Sequence, residues 1–406
     1  MELVYLDNNA TTKPANEVVE AMRWAQTDLW ANPSSVHRPG QTARQRVELA
    51  RASVAALLGT HPRQIIFTSG GTESNNLAIR GALGENPRGV LITSRIEHSA
   101  IREPAEVFGK IGRTVWLPIA PGGVIDPRSI SDAIREHGGT QGPVLVSVQW
   151  ANNETGVVQH IGELIQAVAE ARETLSERTQ ARPRVYLHVD ACQAVGKLPV
   201  NLGELDVDLL SMSGHKLHGP KGVGVLYVRR GMRIGRQIHG GPQELQRRGG
   251  TENTAAIIGL GVAAEAASTF LADREHIGQL TVLRDRFEAS VLKSVPGSVV
   301  NGPTRPGAAM GLRLWNTSNI AFPGLEAEAI LLGLSERGVC ASAGAACSSG
   351  SLEPSPVLLA MGVPEPVAHG SVRFSLSRDT TDDEIDRALV VIPEVVARLG
   401  RVMPVA

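Results

Sequence analysis

Lys216 is the residue whose chemistry most needs explaining. It lies in Ser213-Gly-His-Lys216, inside Ser211–Pro220, between two apolar runs, Val207–Ser213 and Gly224–Arg229. Both runs read as strands, and Gly214 and Gly219-Pro220 punctuate the stretch between them, which places Lys216 on a tight loop. Only six of the 40 basic residues are lysines, so a lysine here is not filler. A lysine that loses its proton by burial attacks carbonyls and can hold an aldehyde cofactor as a Schiff base. The plain alternative is a surface lysine in a hairpin turn. Asp190 follows the mostly apolar run Val185–Val189. Buried there, its carboxylate requires a cation, and a protonated pyridine nitrogen is such a partner. Gly70-Gly-Thr72 separates the strand-like Gln64–Ser69 from a helix over Leu77–Leu83. Strand, glycine turn, threonine and helix together present backbone N–H groups to an anion such as phosphate. Helix capping by Ser69 or Thr72 is the simpler reading. His98 and the amide-rich turn Trp150–Gly156, with Asn153, each follow a further strand. For a lone histidine a structural role stays open. Cys347 stands in a stretch, Cys340–Ser355, made almost wholly of Ala, Ser and Gly. Such a segment has little side chain to anchor it, and a cysteine on a tether suits a nucleophile that collects a group and passes it on. Cys192 and Cys340 read as structural.

The elements that must position these residues alternate. Strand-like runs at 64–69, 89–93, 114–117, 143–149, 185–189, 207–213 and 224–229 are interleaved with helical patterns at 15–24, 41–58 and 161–179. Over about residues 15–260 this predicts a mainly parallel sheet covered on both faces, an α/β fold. In such sheets ligands bind beyond the carboxyl ends of the strands, where Gly71, Thr72, His98, Asn153, Asp190 and Lys216 all fall. From about 255 the pattern changes. One long connecting helix is expected over 255–294. A strand at 315–322, a helix at 325–337, a short strand from Val339, a strand at 371–376 and a helix at 381–399 then predict a smaller α+β unit.

The 406 residues correspond to roughly two or three domains. The formal net charge of −1 gives no footprint for nucleic acid or an acidic membrane. Three cysteines, odd in number and without metal-ligand spacing, point to a reducing compartment, with neither a disulfide framework nor a metal site. Met1–Asp7 lacks the pattern of a signal peptide, and no apolar run approaches the ~20 residues of a membrane span, so the cytoplasm is the expected location.

Taken together, Tyr5–Thr12, Thr68–Ser74, Ala151–Gly156, His188–Gln193, Ser213–Lys216 and Ala346–Ser355 resemble, in order, the motifs of the cysteine desulfurases. These are pyridoxal 5'-phosphate enzymes of the class-V aminotransferase type. The resemblance is NifS/IscS-like, runs from about residue 3 to 400, and is nearer to the nitrogen-fixation type NifS. It implies the PLP-dependent transferase fold, aspartate-aminotransferase-like. Residues 14–260 would form a large α/β domain with a seven-stranded sheet. Residues 1–13 and 261–406 would form a small α+β domain carrying the cysteine loop at about 340–355. The resemblance further implies that Lys216 holds the cofactor and moves the Cα proton, that Asp190 pairs with the pyridinium, and that His98 stacks on the ring. Gln193 would bond the ring oxygen. Gly71, Thr72, Ser213 and His215 would hold the phosphate, joined by Thr251 of a second subunit in a homodimer. Asn153 and Arg373 would bind the carboxylate of L-cysteine. A Cys347 thiolate would take the sulfur as a persulfide, release alanine, and serve an iron–sulfur scaffold or another acceptor, with nitrogenase maturation as one destination. Selenocysteine lyase or another class-V aminotransferase activity is the alternative. The chain departs from the family at Glu244-Leu245-Gln246, where relatives carry Glu-Arg-Gly, and the resemblance to the housekeeping type, whose tail docks the scaffold, does not extend past the last expected helix, so a scaffold partner of that same kind is not expected.

Overall fold

The computed structural model describes residues 3–120, 122–138, 142–180, 183–303, 312–343 and 353–402. In chain order the strands are β1 Val4–Tyr5, β2 Ile65–Thr68, β3 Val90–Ser94, β4 Arg113–Leu117, β5 Ile119–Ala120, β6 Val124–Ile125, β7 Val144–Gln149, β8 Val185–Asp190, β9 Leu209–Ser213, β10 Gly224–Val228, β11 Val299–Val300, β12 Thr317–Ala321, β13 Val339–Cys340, β14 Ser342–Ala343 and β15 Ser371–Ser375.

The strand sequences VLITS, VLVSVQ and LLSMS are buried along their whole length. A strand that is apolar on both faces is stable only between two covering layers. The seven-stranded sheet, in order β2-β10-β9-β8-β7-β3-β4, obtains them. Ile66, Leu91, Leu145, Leu209 and Leu226 meet Leu77, Ile79, Ile101 and Phe108 on one face. Phe67, Ile92, Val146, Leu187, Leu210 and Val225 meet Val47, Val54, Ile134, Leu164 and Leu260 on the other. The expected mainly parallel sheet is thus present. β10 alone runs antiparallel to both its neighbours, and residues 214–223 connect it to β9.

A four-stranded antiparallel sheet, β11-β12-β15-β14, forms a second layer system. Helices Arg274–Ser294, Ala327–Glu336 and Asp382–Val402 cover it, with Phe287, Phe322, Phe374, Ile330 and Ile392 in its core. β1, from the start of the chain, pairs with β13 and puts Val4 and Leu6 into this same core.

The single helix expected over 255–294 is two. Thr254–Ala272 ends at Asp273, whose side chain accepts from His276 N (3.0 Å) and caps the next helix. An aspartate at this position favours a new helix start over an uninterrupted one. Ala263, Ala264 and Ala267 lie in the large core while Phe270 lies in the smaller one, so the chain crosses between cores at this break. Thr254–Ala272 is also long and apolar enough to cross a membrane by length and composition, contrary to the expectation that no run approaches that length. Its apolarity serves burial, with 56% of the stretch inside the fold.

Candidate active site

A cavity of about 890 Å³ opens at the carboxyl ends of the large-sheet strands and is closed on one side by residues of the smaller unit. Gly71, Thr72, His98, Asn153, Asp190, Gln193, Ser213, His215, Lys216 and Arg373 all line it. Thr251 does not; it is exposed beyond Arg248, whose guanidinium pairs with Glu73 at 2.9 Å. Cys347 lies outside the described residues. Its flanks do not: Ser342 of β14 is paired with Arg373 of β15, and Ser355 donates to Glu154 Oε2 at 2.5 Å.

Lys216 ends the single helical turn Gly214–Lys216 that directly follows β9, within the 214–223 connection to β10. Its Nζ donates to the carbonyls of Asn9 (2.6 Å) and Ala10 (2.8 Å). The N-terminal segment therefore holds the amine over the cavity. His215, next to it, has its carbonyl bound by Thr12 N and Oγ1 and its Nδ1 3.2 Å from Thr11 Oγ1. Burial, followed by the charges of Lys216 and Lys221, pushes the imidazole down to about 4, so it is neutral at physiological pH.

Asp190 is the last residue of β8 and is buried. Oδ2 accepts from Asn75 Nδ2 at 2.7 Å and Oδ1 from the Cys192 backbone at 3.0 Å. Both partners are neutral, and no ion pair reaches it among the described residues. A buried carboxylate in that state fits a cationic ring nitrogen. The helix Gly71–Leu83, which supplies Asn75, begins directly after the turn that follows β2, six residues before the expected start at Leu77. Gly71 and Thr72 are its first residues, so their N–H groups have no partner within the helix. A Cβ on Gly71 would come within 2.6 Å of Cys192 Sγ, which leaves room only for glycine. With Ser213 3.5 Å from the same point, this cradle fits a phosphate.

His98 caps the helix Ser99–Phe108, and its Nδ1 accepts from Ala100 N at 3.1 Å. That bond fixes both the tautomer and the ring plane. Arg373, almost wholly buried on β15, donates through Nη1 to the Asn153 carbonyl (3.1 Å) and through Nη2 to Asp7 Oδ1 (2.7 Å). Its buried Nε has no partner among the described residues, an orphaned donor on the cavity wall. Gln193 is engaged within the wall: Nε2 donates to the Asn9 carbonyl (2.9 Å) and Oε1 accepts from Lys197 Nζ (2.5 Å).

Several site residues were not foreseen. Glu97 is fully buried on the wall; Oε1 accepts from Ser94 Oγ at 2.6 Å and Oε2 has no partner among the described residues. Burial outweighs the Ser94 bond and pushes its carboxyl up to about 8. Burial also holds the Glu154 carboxyl above the usual range, against the Ser355 hydrogen bond. Asn9 is a hub: it binds Lys216, Gln193, Lys197, Asn153, Thr317, Asn316 and Ser375. The motif Tyr5–Thr12 carried that signal without showing its partners. Of the other cysteines, Cys192 has a thiol pushed well up by burial and by Asp190, and the Cys340 thiol is raised by burial and by Asp7. Neither is primed as a thiolate.

The family model for aminotransferase class-V matches residues 4–388. Cysteine desulfurase 2 of Trichormus variabilis is 46% identical over 407 residues, spanning 100% of this chain and 96% of that protein. Cysteine desulfurase NifS of Azotobacter vinelandii is 46% identical over 405 residues, 99% of this chain and 94% of its own. A solved structure described as a NifS-like protein superposes with a TM-score of 0.86 at 32% identity, covering 98% of this chain and 100% of that one.

Proposed function

We propose that this chain, which belongs to the class-V aminotransferase family and within it to the cysteine desulfurases, takes the sulfur of L-cysteine onto Cys347 as a persulfide and releases L-alanine. Pyridoxal 5'-phosphate, the cofactor of the family, supplies when bound an electron sink that makes the Cα–H and C–S bonds of the substrate breakable.

The chain's own residues do the rest. Lys216 would hold the cofactor through Nζ and would move the Cα proton. Asp190, whose partners here are neutral, would pair with the pyridine nitrogen and keep it protonated. The Gly71–Thr72 amides, Ser213 and neutral His215 donate to the phosphate. Gln193 would bond the ring oxygen, and His98, with Nδ1 already bound, would stack on the ring and pass protons. Arg373 offers its orphaned Nε side to the substrate carboxylate beside Asn153. The Cys347 thiolate attacks the substrate sulfur, so that an S–S bond forms as the C–S bond breaks. Protons returned to the remaining carbons give alanine.

One observation carries the sulfur-transfer step. Both flanks of Cys347 end on the cavity wall, at Arg373 and at Glu154. Cys347 is four residues beyond Ala343, a reach of about 14 Å at full extension. The same reading includes a homodimer in which Thr251 serves the other subunit's site, an iron–sulfur scaffold or other acceptor protein, and a cytoplasmic location. It also divides the chain into a large unit, 14–260, and a small one, 1–13 with 261–406.

The test is turnover of the purified holoprotein with L-cysteine and a reducing thiol, quantifying alanine and sulfide together. Equal yields are expected, vanishing in Cys347→Ala while the lysine-bound chromophore remains. Undiminished sulfide from the variant would sink the persulfide step. A chromophore without either product would move the assignment to selenocysteine or to an aminotransferase substrate.

A further inference from the structure

Lys197 is a lysine that the mechanism above does not use. It follows the β8 end at Asp190-Ala-Cys-Gln193, is buried, and donates to Asn9 Oδ1 at 2.9 Å and Gln193 Oε1 at 2.5 Å. Both acceptors are neutral amides, and both belong to residues on the cavity wall. The carbonyl of the same Asn9 receives Lys216 Nζ and Gln193 Nε2. One asparagine thus joins the two lysines and the glutamine.

No carboxylate compensates this lysine among the described residues. Lys216 from the β9–β10 turn and Arg373 from β15 act on it as like charges. A small cavity of about 20 Å³ beside it is lined by Lys216, His218 and Arg378 and by no Asp or Glu. The carboxylates nearby are matched elsewhere, Asp7 to Arg373 at 2.7 Å and exposed Asp379 at 4.0 Å from His218. Burial and these cations together hold the Lys197 ammonium well below its ordinary range. An isolated buried cation is costly, and the cost falls when an anion enters beside it.

We propose that Lys197 is a positioning residue for the cofactor: it fixes the Asn9 and Gln193 side chains on the wall, and its ammonium, paired with no carboxylate among the described residues, is favoured when the anionic pyridoxal 5'-phosphate binds. This rests on the reading of Lys216 as the cofactor anchor. Its consequence is electrostatic as well as steric. A positive charge at Lys197 favours loss of the proton from the lysine-linked cofactor and so lowers the pH at which that chromophore titrates.

The experiment is a pH titration of the chromophore absorbance of the holoprotein, for wild type, Lys197→Met, Lys197→Gln and Lys197→Arg, with the dissociation constant of pyridoxal 5'-phosphate measured alongside. Met and Gln are expected to raise the titration midpoint by about one pH unit, the low end for a nearby charge, and to weaken cofactor retention roughly tenfold. Arg is expected to restore both. If Met and Gln titrate at the wild-type midpoint, even with reduced thermal stability, Lys197 is structural and the proposal fails. An Arg variant shifted as far as Met would overturn it as well, since shape rather than charge would then be responsible. Borohydride reduction of the wild type followed by peptide mapping separates the premise: cofactor fixed elsewhere than Lys216 would overturn the site reading and this inference with it.

Discussion

Glu97→Gln is the substitution whose effect can be worked furthest from the structure. Glu97 is fully buried on the cavity wall, and its carboxyl is pushed up from an ordinary 4.5 to about 8. Between those values the folded chain keeps a proton that the unfolded chain has lost. Stability therefore falls as pH rises through this window, because the folded state binds the extra proton. The displacement is three and a half pH units, and at about 1.4 kcal/mol per unit it amounts to ~5 kcal/mol between pH 4.5 and pH 8. Glutamine keeps the acceptor for Ser94 Oγ and never ionises. The two proteins should be nearly equally stable at pH 5, and the variant should be the more stable by several kcal/mol at pH 8.5. Denaturant midpoints measured across that range, with unchanged m-values, read this directly. A wild-type–variant difference that stays constant with pH would refute the claim that Glu97 is a neutral acid in the fold.

Other consequences concern the backbone and the cofactor cradle. Glu244, Leu245 and Gln246 have φ of 49°, 56° and 63°. Glu244 is held there by Arg51, at 2.8 Å to each oxygen, and by Phe67 N at 2.9 Å; exposed Gln246 has no comparable bond. A left-handed L-residue costs about 1–2 kcal/mol and glycine gives back about half in chain entropy. Gln246→Gly should therefore stabilise the protein by ~0.5–1 kcal/mol in denaturant melts, and a destabilised variant would contradict this account of the turn. Gly71→Ala should weaken cofactor retention by the ~1–3 kcal/mol of an overpacked contact, since its Cβ would meet Cys192 Sγ at 2.6 Å. Adding Cys192→Ala should restore binding, because the next neighbour is Ser213 Cβ at 3.5 Å; a double variant no better than the single one would refute the clash.

What the sequence disclosed follows from where its apolar runs end. Asp190 and Ser213 end, and Lys216 closely follows, strands apolar enough to be recognised, so both sheet and site edge are legible. Glu97 was not, because its burial is tertiary. Gln149 and Asn152 both bond the Ile96 carbonyl, at 2.8 and 3.1 Å, and draw that polar turn under the strand ends. Lys197 stands between Gly196 and Leu198 with no local sign that Asn9, 188 residues away, would receive it. The early start of the helix at Gly71 was hidden because its first turn, Gly-Thr-Glu-Ser, has the composition of a loop. The break at Asp273 escaped notice because apolar periodicity runs on through a residue that caps.

The pairing of β1 with β13 also sets an order of events during synthesis. Asn8 reaches Ser375 through both its backbone and its side chain, and the two residues are 367 apart. At about 5–20 residues per second a ribosome needs roughly 20–70 s to make the intervening chain. For that time Val4 and Leu6 lack the Val372 and Phe374 part of their core, and Asn9 lacks its bond to Ser375. The strands of the large sheet are all made before β15, but the contacts that fix Asn9, whose carbonyl receives Lys216, are complete only once Ser375 has been made.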